Sequence, residues 1–223
     1  MLIQLVNTCL RKIPTWVLYV TLPIPGALAI LAGLTDNLGV EPIKELEKAL
    51  GGFALKLLIV GLAVSPVLHF TRINLVRFRR AIGLVAFGYL LTHFLTWLLL
   101  DVQLLSQIWA DILKRPYITV GFVGFMAAVP LALTSNNWSV RRLGQFWRTL
   151  HRLSYIVGFL GGVHYIMLAK GFQIEPLAYM SVILAFLAVR VPHGRRSLQA
   201  IIQGLGDMFW RWWERVIGFC KWR

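Results

Sequence analysis

The sequence lacks the motifs of hydrolytic and nucleotide-driven chemistry. It has no nucleophile triad, no glycine-rich phosphate-binding loop, no Cys-x-x-Cys pair and no His-Glu-x-x-His motif. Cysteine is scarce: Cys9 and Cys220 lack metal-ligand spacing, and both fall on the predicted cytoplasmic side, where a structural disulfide is not expected. Acidic residues are also few, nine against 23 basic residues. Hydrolases, nucleotide-driven enzymes and disulfide scaffolds are therefore poor matches to this chain.

What the sequence has in quantity is apolar residues. Of its 223 residues 58% are hydrophobic and only 14% are charged, which is typical of a membrane protein. Six weakly charged or uncharged runs approach the ~20 residues needed to span a bilayer: 13–35, 57–71, 81–100, 116–140, 153–169 and 176–189. The pattern predicts an all-α integral membrane protein built as a six-transmembrane-helix bundle. Prolines at 23, 25, 66 and 130 are expected to bend the first, second and fourth helices.

The net charge of +14 follows the connections between these runs. One set of loops and tails holds 17 of the 23 basic residues, and the opposite set holds seven of the nine acids. By the positive-inside rule both termini are cytoplasmic and the acidic connections face outward. The basic surface is therefore explained by topology and by contact with anionic membrane lipid, and not by nucleic acid.

Two amphipathic segments lie outside the predicted crossings. In the outer connection 36–50, Ile43, Leu46 and Leu50 recur at helical spacing and predict a short amphipathic helix. In the tail 198–223, apolar residues form one stripe opposite charged ones, which predicts a C-terminal interfacial helix on the membrane, with partner docking as the alternative. We therefore divide the chain into a transmembrane domain, residues 1–192, and a cytoplasmic tail, residues 193–223.

His93 and His164 are the leading candidate site residues. Each lies inside an almost uncharged run, where an imidazole is costly without a partner. His93 follows Arg80 by 13 residues and His164 follows Arg152 by 12, which places both ~18 to 20 Å along their helices. Two imidazoles facing each other at one depth suit the axial ligands of a heme iron, the alternative being packed core histidines.

The other histidines fit this pair less well. His151 lies 13 residues before His164, about 20 Å along the axis, and does not share its face on an ideal helix. It is either a further ligand or an interface residue that holds a propionate or a flavin. His69 ends the second predicted helix on the same side and is a candidate partner for His151, whereas His193 is most simply a solvated tail residue.

Arginines gather at the cytoplasmic ends of the third to fifth predicted helices. Topology alone explains them, but guanidinium groups also bind carboxylates and phosphates through paired hydrogen bonds. Some are therefore candidates to hold heme propionates or a flavin phosphate. The candidates are Arg77, Arg79, Arg80 and Arg148, with Arg141 and Arg142 nearby.

Several stretches resemble one known family. They are NLGVEPIKELEKALGGFALK (37–56), RRAIGLVAFGYLLTHF (79–94), KRPYITVG (114–121), LALTSNNWSVRRLGQFWRTLHRLSYI (131–156) and GVHYI (162–166). Together they resemble the MsrQ family, formerly YedZ, which is grouped with the ferric-reductase-like transmembrane domains. The resemblance implies heme b as cofactor, with heme histidines at His93, His151 and His164, and FMN as a second cofactor.

The resemblance also implies a function and partners. The family carries electrons through heme b to a periplasmic molybdopterin methionine-sulfoxide reductase, from a cytoplasmic flavin reductase or from quinol, in the bacterial inner membrane. The tail is too short for a flavin and nicotinamide reductase domain, so electrons are expected from another molecule. Where related oxidases carry a second histidine 14 residues before His93, this chain has Arg79, which favours one heme over two. The rival hypotheses are a free-standing ferric or quinone reductase and a heme-free transporter or scaffold.

Overall fold

The computed structural model describes residues 2–35, 37–101, 112–169, 171–190 and 208, and every regular element in these ranges is helical. The coordinates divide into two compact units, Met1–Leu184 and Ala185–Arg223. The predicted tail helix lies almost wholly outside the described residues, as does His193. The helices are α1 (Leu2–Lys12), α2 (Trp16–Thr21), α3 (Ile24–Leu34), α4 (Pro42–Thr71), α5 (Arg79–Thr96), α6 (Pro116–Leu133), α7 (Asn137–Leu143), α8 (Gln145–Leu150), α9 (Leu153–Leu168) and α10 (Ile174–Ala188).

Within the described residues, four helical segments are long and apolar enough to cross a membrane. They are Trp16–Leu34, Pro42–Thr71, Val76–Asp101 and Pro116–Leu133, and they correspond to the first four predicted crossings. The third includes a 3₁₀ turn before α5 and a π-helical turn, Trp97–Asp101, after it. α9 and α10 have 16 and 15 residues, about 24 Å at the standard rise, which is short of a ~30 Å hydrocarbon core. The structure thus shows a helical protein with four candidate membrane spans in its described residues.

Two predicted boundaries differ from the structure. The short outer helix is not a separate element, because residues 42–50 form the first turns of the 30-residue α4. No proline interrupts α4 between Pro42 and Pro66, so its amphipathic start continues directly into the apolar span. The fourth run ends earlier than predicted: α6 stops at Leu133, and the Asn136 side chain accepts the Ser139 N–H at 2.7 Å to begin α7.

Two helix pairs form the centre of the first unit. α4 packs along α5, and α6 packs along α9. Buried Leu46, Leu50 and Ala54 of α4 meet Val85 and Tyr89 of α5 in one apolar cluster. The two pairs touch each other through α4 with α9 and α5 with α6.

Glycines on α9 allow its neighbours to come close. A Cβ at Gly158 would lie 2.7 Å from Leu62, and one at Gly162 would lie 2.8 Å from the sulfur of Met180. The sequence left open whether these glycines face another helix or a flat cofactor. At both positions the neighbour is a side chain from another helix.

The Tyr89 hydroxyl forms hydrogen bonds to both sides of a break between two helices of the first membrane segment. α2 ends before Pro23, α3 begins with Ile24 and Pro25, and at this junction the Gly26 N–H donates to the Tyr89 oxygen at 2.9 Å. The same hydroxyl donates to the Leu22 carbonyl at 2.8 Å. The phenol thus occupies the place of the missing hydrogen bond from residue 26 to residue 22, and it ties α5 to the first segment.

Removing this hydroxyl should destabilise the fold. In Tyr89→Phe we expect the free energy of unfolding to fall by about 1 kcal/mol, because two buried backbone groups lose a shared partner. Chemical unfolding in detergent measures the change. Tyr19→Phe, whose ring is 40% exposed on α2, is the control and should match wild type. Equal stability of Tyr89→Phe and wild type would contradict this account.

Candidate functional site

The structure brings His93 and His164 together. His93 lies in the last turn of α5 and His164 lies on α9, with their ring centroids 6.3 Å apart and their planes at 76°. The sequence placed both rings at one depth, and their proximity agrees with that prediction. The pair sits inside the first unit, between the two central helix pairs.

Each ring is fixed by a backbone carbonyl of a different helix. His93 Nδ1 lies 2.9 Å from the Glu47 carbonyl oxygen on α4, and His164 Nδ1 lies 2.7 Å from the Tyr117 carbonyl oxygen on α6. A carbonyl oxygen only accepts hydrogen bonds, so each Nδ1 carries the proton and donates it. A second proton would place a charge inside the apolar bundle, so we assign both rings as neutral Nδ1–H tautomers, whose Nε2 lone pairs remain available to a metal.

This donor set fits a metal held in a macrocycle. An imidazole nitrogen lies about 1 Å from its ring centre, so two imidazoles with bonds of about 2 Å to one metal have centroids about 6 Å apart. The observed separation is 6.3 Å. Within the described residues no group of three or more His, Cys, Asp or Glu side chains could hold a bare ion. Two neutral imidazoles match axial ligation, in which the other ligands come from a prosthetic group.

A cavity of about 550 Å³ opens at the arginine-rich end of the same unit. Its walls come from α4, α5, α6 and the segment from α8 into α9, and they include apolar side chains such as Leu57, Phe87 and Val157. Its volume falls within the range of small-molecule sites. The charged lining is entirely basic: Arg77, Arg79, Arg80, Arg148 and Arg152.

The arginines of the cavity differ in the hydrogen bonds that their side chains form. Arg77 donates to the Leu10 and Arg11 carbonyls and so holds the end of α1, and Arg80 donates to the Asn137 side chain at 2.8 Å. The side chains of Arg79, Arg148 and Arg152 form no hydrogen bond or ion pair with another residue in the described ranges. These guanidinium groups have all their N–H donors available for an anion.

His151 belongs to this cavity and not to the histidine pair. Its ring stacks on Trp147 with centroids 3.9 Å apart, and Nε2 lies 3.0 Å from the Thr134 hydroxyl. Burial, together with the positive charges of Arg79 and Arg80, lowers the pKa of His151, so the ring is neutral at neutral pH. Of the three histidines implied by resemblance, the structure joins two and places the third with the arginines.

His69 remains apart from both groups. It lies in the last turn of α4 with its ring edge against Phe70, centroids 5.0 Å apart, and it does not line the cavity.

Sequence reasoning missed the groups that hold these histidines. The contacts to Glu47 and Tyr117 are made by backbone carbonyls, which residue type does not reveal. Trp147 and Thr134, which contact His151, were not identified from the sequence either. Trp147 Nε1 also donates to the Thr134 carbonyl at 2.9 Å. One signal was available: Trp147 precedes His151 by four residues, the spacing of side chains that meet on a helix.

Comparisons with known proteins give a consistent family. The model of the ferric reductase like transmembrane component matches residues 49–162. Relatives named protein-methionine-sulfoxide reductase heme-binding subunit MsrQ are 43% identical over 183 residues in Brucella anthropi and 45% identical over 177 residues in Agrobacterium fabrum. These matches cover 81% and 79% of this chain and 83% and 82% of the relatives. No solved structure matches.

A third relative of the same name, from Brucella ovis, is 45% identical over 177 residues, covering 79% of this chain and 80% of its own length. By its matched domain and by these relatives, the chain belongs to the MsrQ family of ferric-reductase-like membrane proteins.

Proposed function

We propose that this chain is a membrane cytochrome b that delivers electrons to a periplasmic molybdopterin methionine-sulfoxide reductase. The observation that carries the proposal is the pair of neutral imidazoles, His93 and His164, facing each other at 6.3 Å in an apolar bundle. The names of the relatives, heme-binding subunits of a methionine-sulfoxide reductase, support the cofactor and the partner.

His93 and His164 hold the heme through Nε2. Their Nδ1–H bonds to the carbonyls of residues 47 and 117 orient the rings and increase their basicity as ligands. When bound, heme b supplies one-electron chemistry, its iron alternating between the ferric and ferrous states. The surrounding apolar side chains exclude water and keep the two ligands neutral.

The membrane arrangement follows from charge. We propose six crossings in the bacterial inner membrane, with α9 and α10 as the last two and with both termini cytoplasmic. Interfacial residues at the helix ends allow such short segments to reach both surfaces. Residues 1–192 then form the heme domain, and residues 193–223 form the tail on the cytoplasmic surface.

The arginine cavity is proposed as the entry side for electrons. Arg79 and Arg148, assisted by Arg77, Arg80 and His151, would hold the phosphate of FMN or the heme propionates, since guanidinium groups bind such anions through paired hydrogen bonds. The fit rests on a basic lining next to apolar walls, which suits a flat aromatic ring with an anionic arm. A cytoplasmic flavin reductase or quinol supplies the electrons.

The axial-ligand assignment predicts the effect of single histidine variants. His93→Ala and His164→Ala should each lose the bis-histidine b-type spectrum, with heme content reduced by roughly tenfold or more, since even outer partners of metal ligands change affinity that much. The measurement is a reduced-minus-oxidised absorption spectrum with quantified heme. His69→Ala is the control and should keep the spectrum. A wild-type spectrum in His164→Ala would refute the assignment.

The cavity assignment predicts selective loss of flavin binding. Arg79→Gln and Arg148→Gln should each weaken FMN binding by roughly tenfold, the worth of one charge-assisted hydrogen bond. Flavin fluorescence titration of the purified protein measures the affinity. Arg142→Gln removes an equal charge from a residue outside the cavity lining and should bind FMN as wild type does. Equal weakening in all three variants would indicate a general charge effect and no specific site.

A further inference from the structure

Two glycines stand in the same relation to the two facing histidines. Gly51 follows Glu47 by one helical turn on α4, and Gly121 follows Tyr117 by one turn on α6. Each glycine is thus the i+4 residue of the carbonyl to which a histidine Nδ1 binds. The two carbonyls lie on different helices, α4 and α6, and the histidines lie on α5 and α9, but the four-residue spacing from carbonyl to glycine is the same.

Both glycines face an imidazole ring directly. A Cβ at Gly51 would lie 3.2 Å from His93 Cε1 and 3.3 Å from its Nδ1. A Cβ at Gly121 would lie 2.8 Å from His164 Nδ1 and 2.9 Å from its Cε1. The second position cannot accept a methyl group unless the ring moves, and the first can accept one only if the ring yields slightly.

Neighbouring glycines on the same helices do not share this property. A Cβ at Gly52 would meet nothing within 4 Å, and one at Gly124 would meet Leu160 at an ordinary 3.4 Å. On α4 and α6 the requirement for glycine is therefore confined to the positions that face a histidine. Helix packing alone does not distinguish Gly121 from Gly124, since both lie on α6 with a neighbour close by.

Helix geometry explains the spacing. The Cα–Cβ bond of a helical residue tilts toward the N-terminus, so the side chain at i+4 covers the turn that contains the carbonyl of residue i. That carbonyl already accepts the i+4 N–H, and its second lone pair is reachable from outside only if residue i+4 leaves it uncovered. Glycine does this, so an imidazole N–H can reach the carbonyl.

We propose that Gly51 and Gly121 are positioning residues for the heme ligands. Each uncovers one helical carbonyl, and the bond from that carbonyl to Nδ1–H fixes the histidine tautomer and directs Nε2 toward the iron. The inference rests on the proposed heme function and deepens it, because it assigns the orientation of both ligands to two residues that have no side chain. Gly121 restricts its ring more closely than Gly51 does.

The test compares four alanine variants of the heme-loaded protein. Gly121→Ala should lose most of its low-spin ferric signal, measured by electron paramagnetic resonance with quantified heme, and added imidazole should restore part of it by replacing the displaced ligand. Gly51→Ala should change in the same direction but less. Gly52→Ala and Gly124→Ala are matched controls that should keep the wild-type signal and should not respond to imidazole.

The outcomes separate this inference from the function on which it rests. A wild-type signal in Gly121→Ala, or an equal loss in Gly124→Ala, overturns the positioning role while the heme assignment stands. Wild-type protein without bis-histidine heme overturns both. If Gly121→Ala does not accumulate in the membrane, Gly51→Ala decides, because its Cβ requires only a small displacement of the ring: an imidazole-sensitive loss supports the role, and an unchanged signal overturns it.

Discussion

A polar group inside a membrane has no water to bind, and this constraint shapes the whole bundle. The Thr92 and Thr96 hydroxyls donate to carbonyls one turn back on α5. Tyr89 fills a gap in another helix. His93 and His164 turn Nδ1 to a neighbouring backbone carbonyl, and Nε2 of each ring forms no hydrogen bond with the described residues. These two Nε2 atoms are therefore the polar groups of the candidate site that remain open to a ligand.

The sequence predicted the helical class and the main membrane segments, because long apolar runs have few alternatives in a bilayer. It did not predict that α4 begins at Pro42. The helical spacing of Ile43, Leu46 and Leu50 predicted a separate outer helix, but the turns that bury Leu46 and Leu50 continue directly into the membrane span. It also did not identify α1, whose position depends on hydrogen bonds from Asn7 and Arg77 to residues that are distant in sequence.

For the candidate site, the sequence predicted the depth of the two histidines along their helices but not the orientation of their rings. The constant rise of a helix is sufficient to place His93 and His164 at one level from their flanking arginines. Helical rotation also indicated that His151 faces elsewhere, and the structure has it against Trp147 and Thr134. Which carbonyl each ring contacts depends on how the helices are rotated against one another, and this is decided by packing across the whole interface. The contacts of Gly51 and Gly121 with the two histidines depend on the same packing, so the sequence did not predict them.

The two histidines come from different helix pairs: His93 is bound to α4 within the α4–α5 pair, and His164 is bound to α6 within the α6–α9 pair. Each pair therefore fixes its own histidine through a contact within that pair. A prosthetic group that binds both imidazoles acts as a cross-link between the two halves, and its binding free energy adds to the association of those halves. Cofactor supply and maturation of the protein are then thermodynamically linked, so chains that lack the cofactor would be the ones with loosely joined halves.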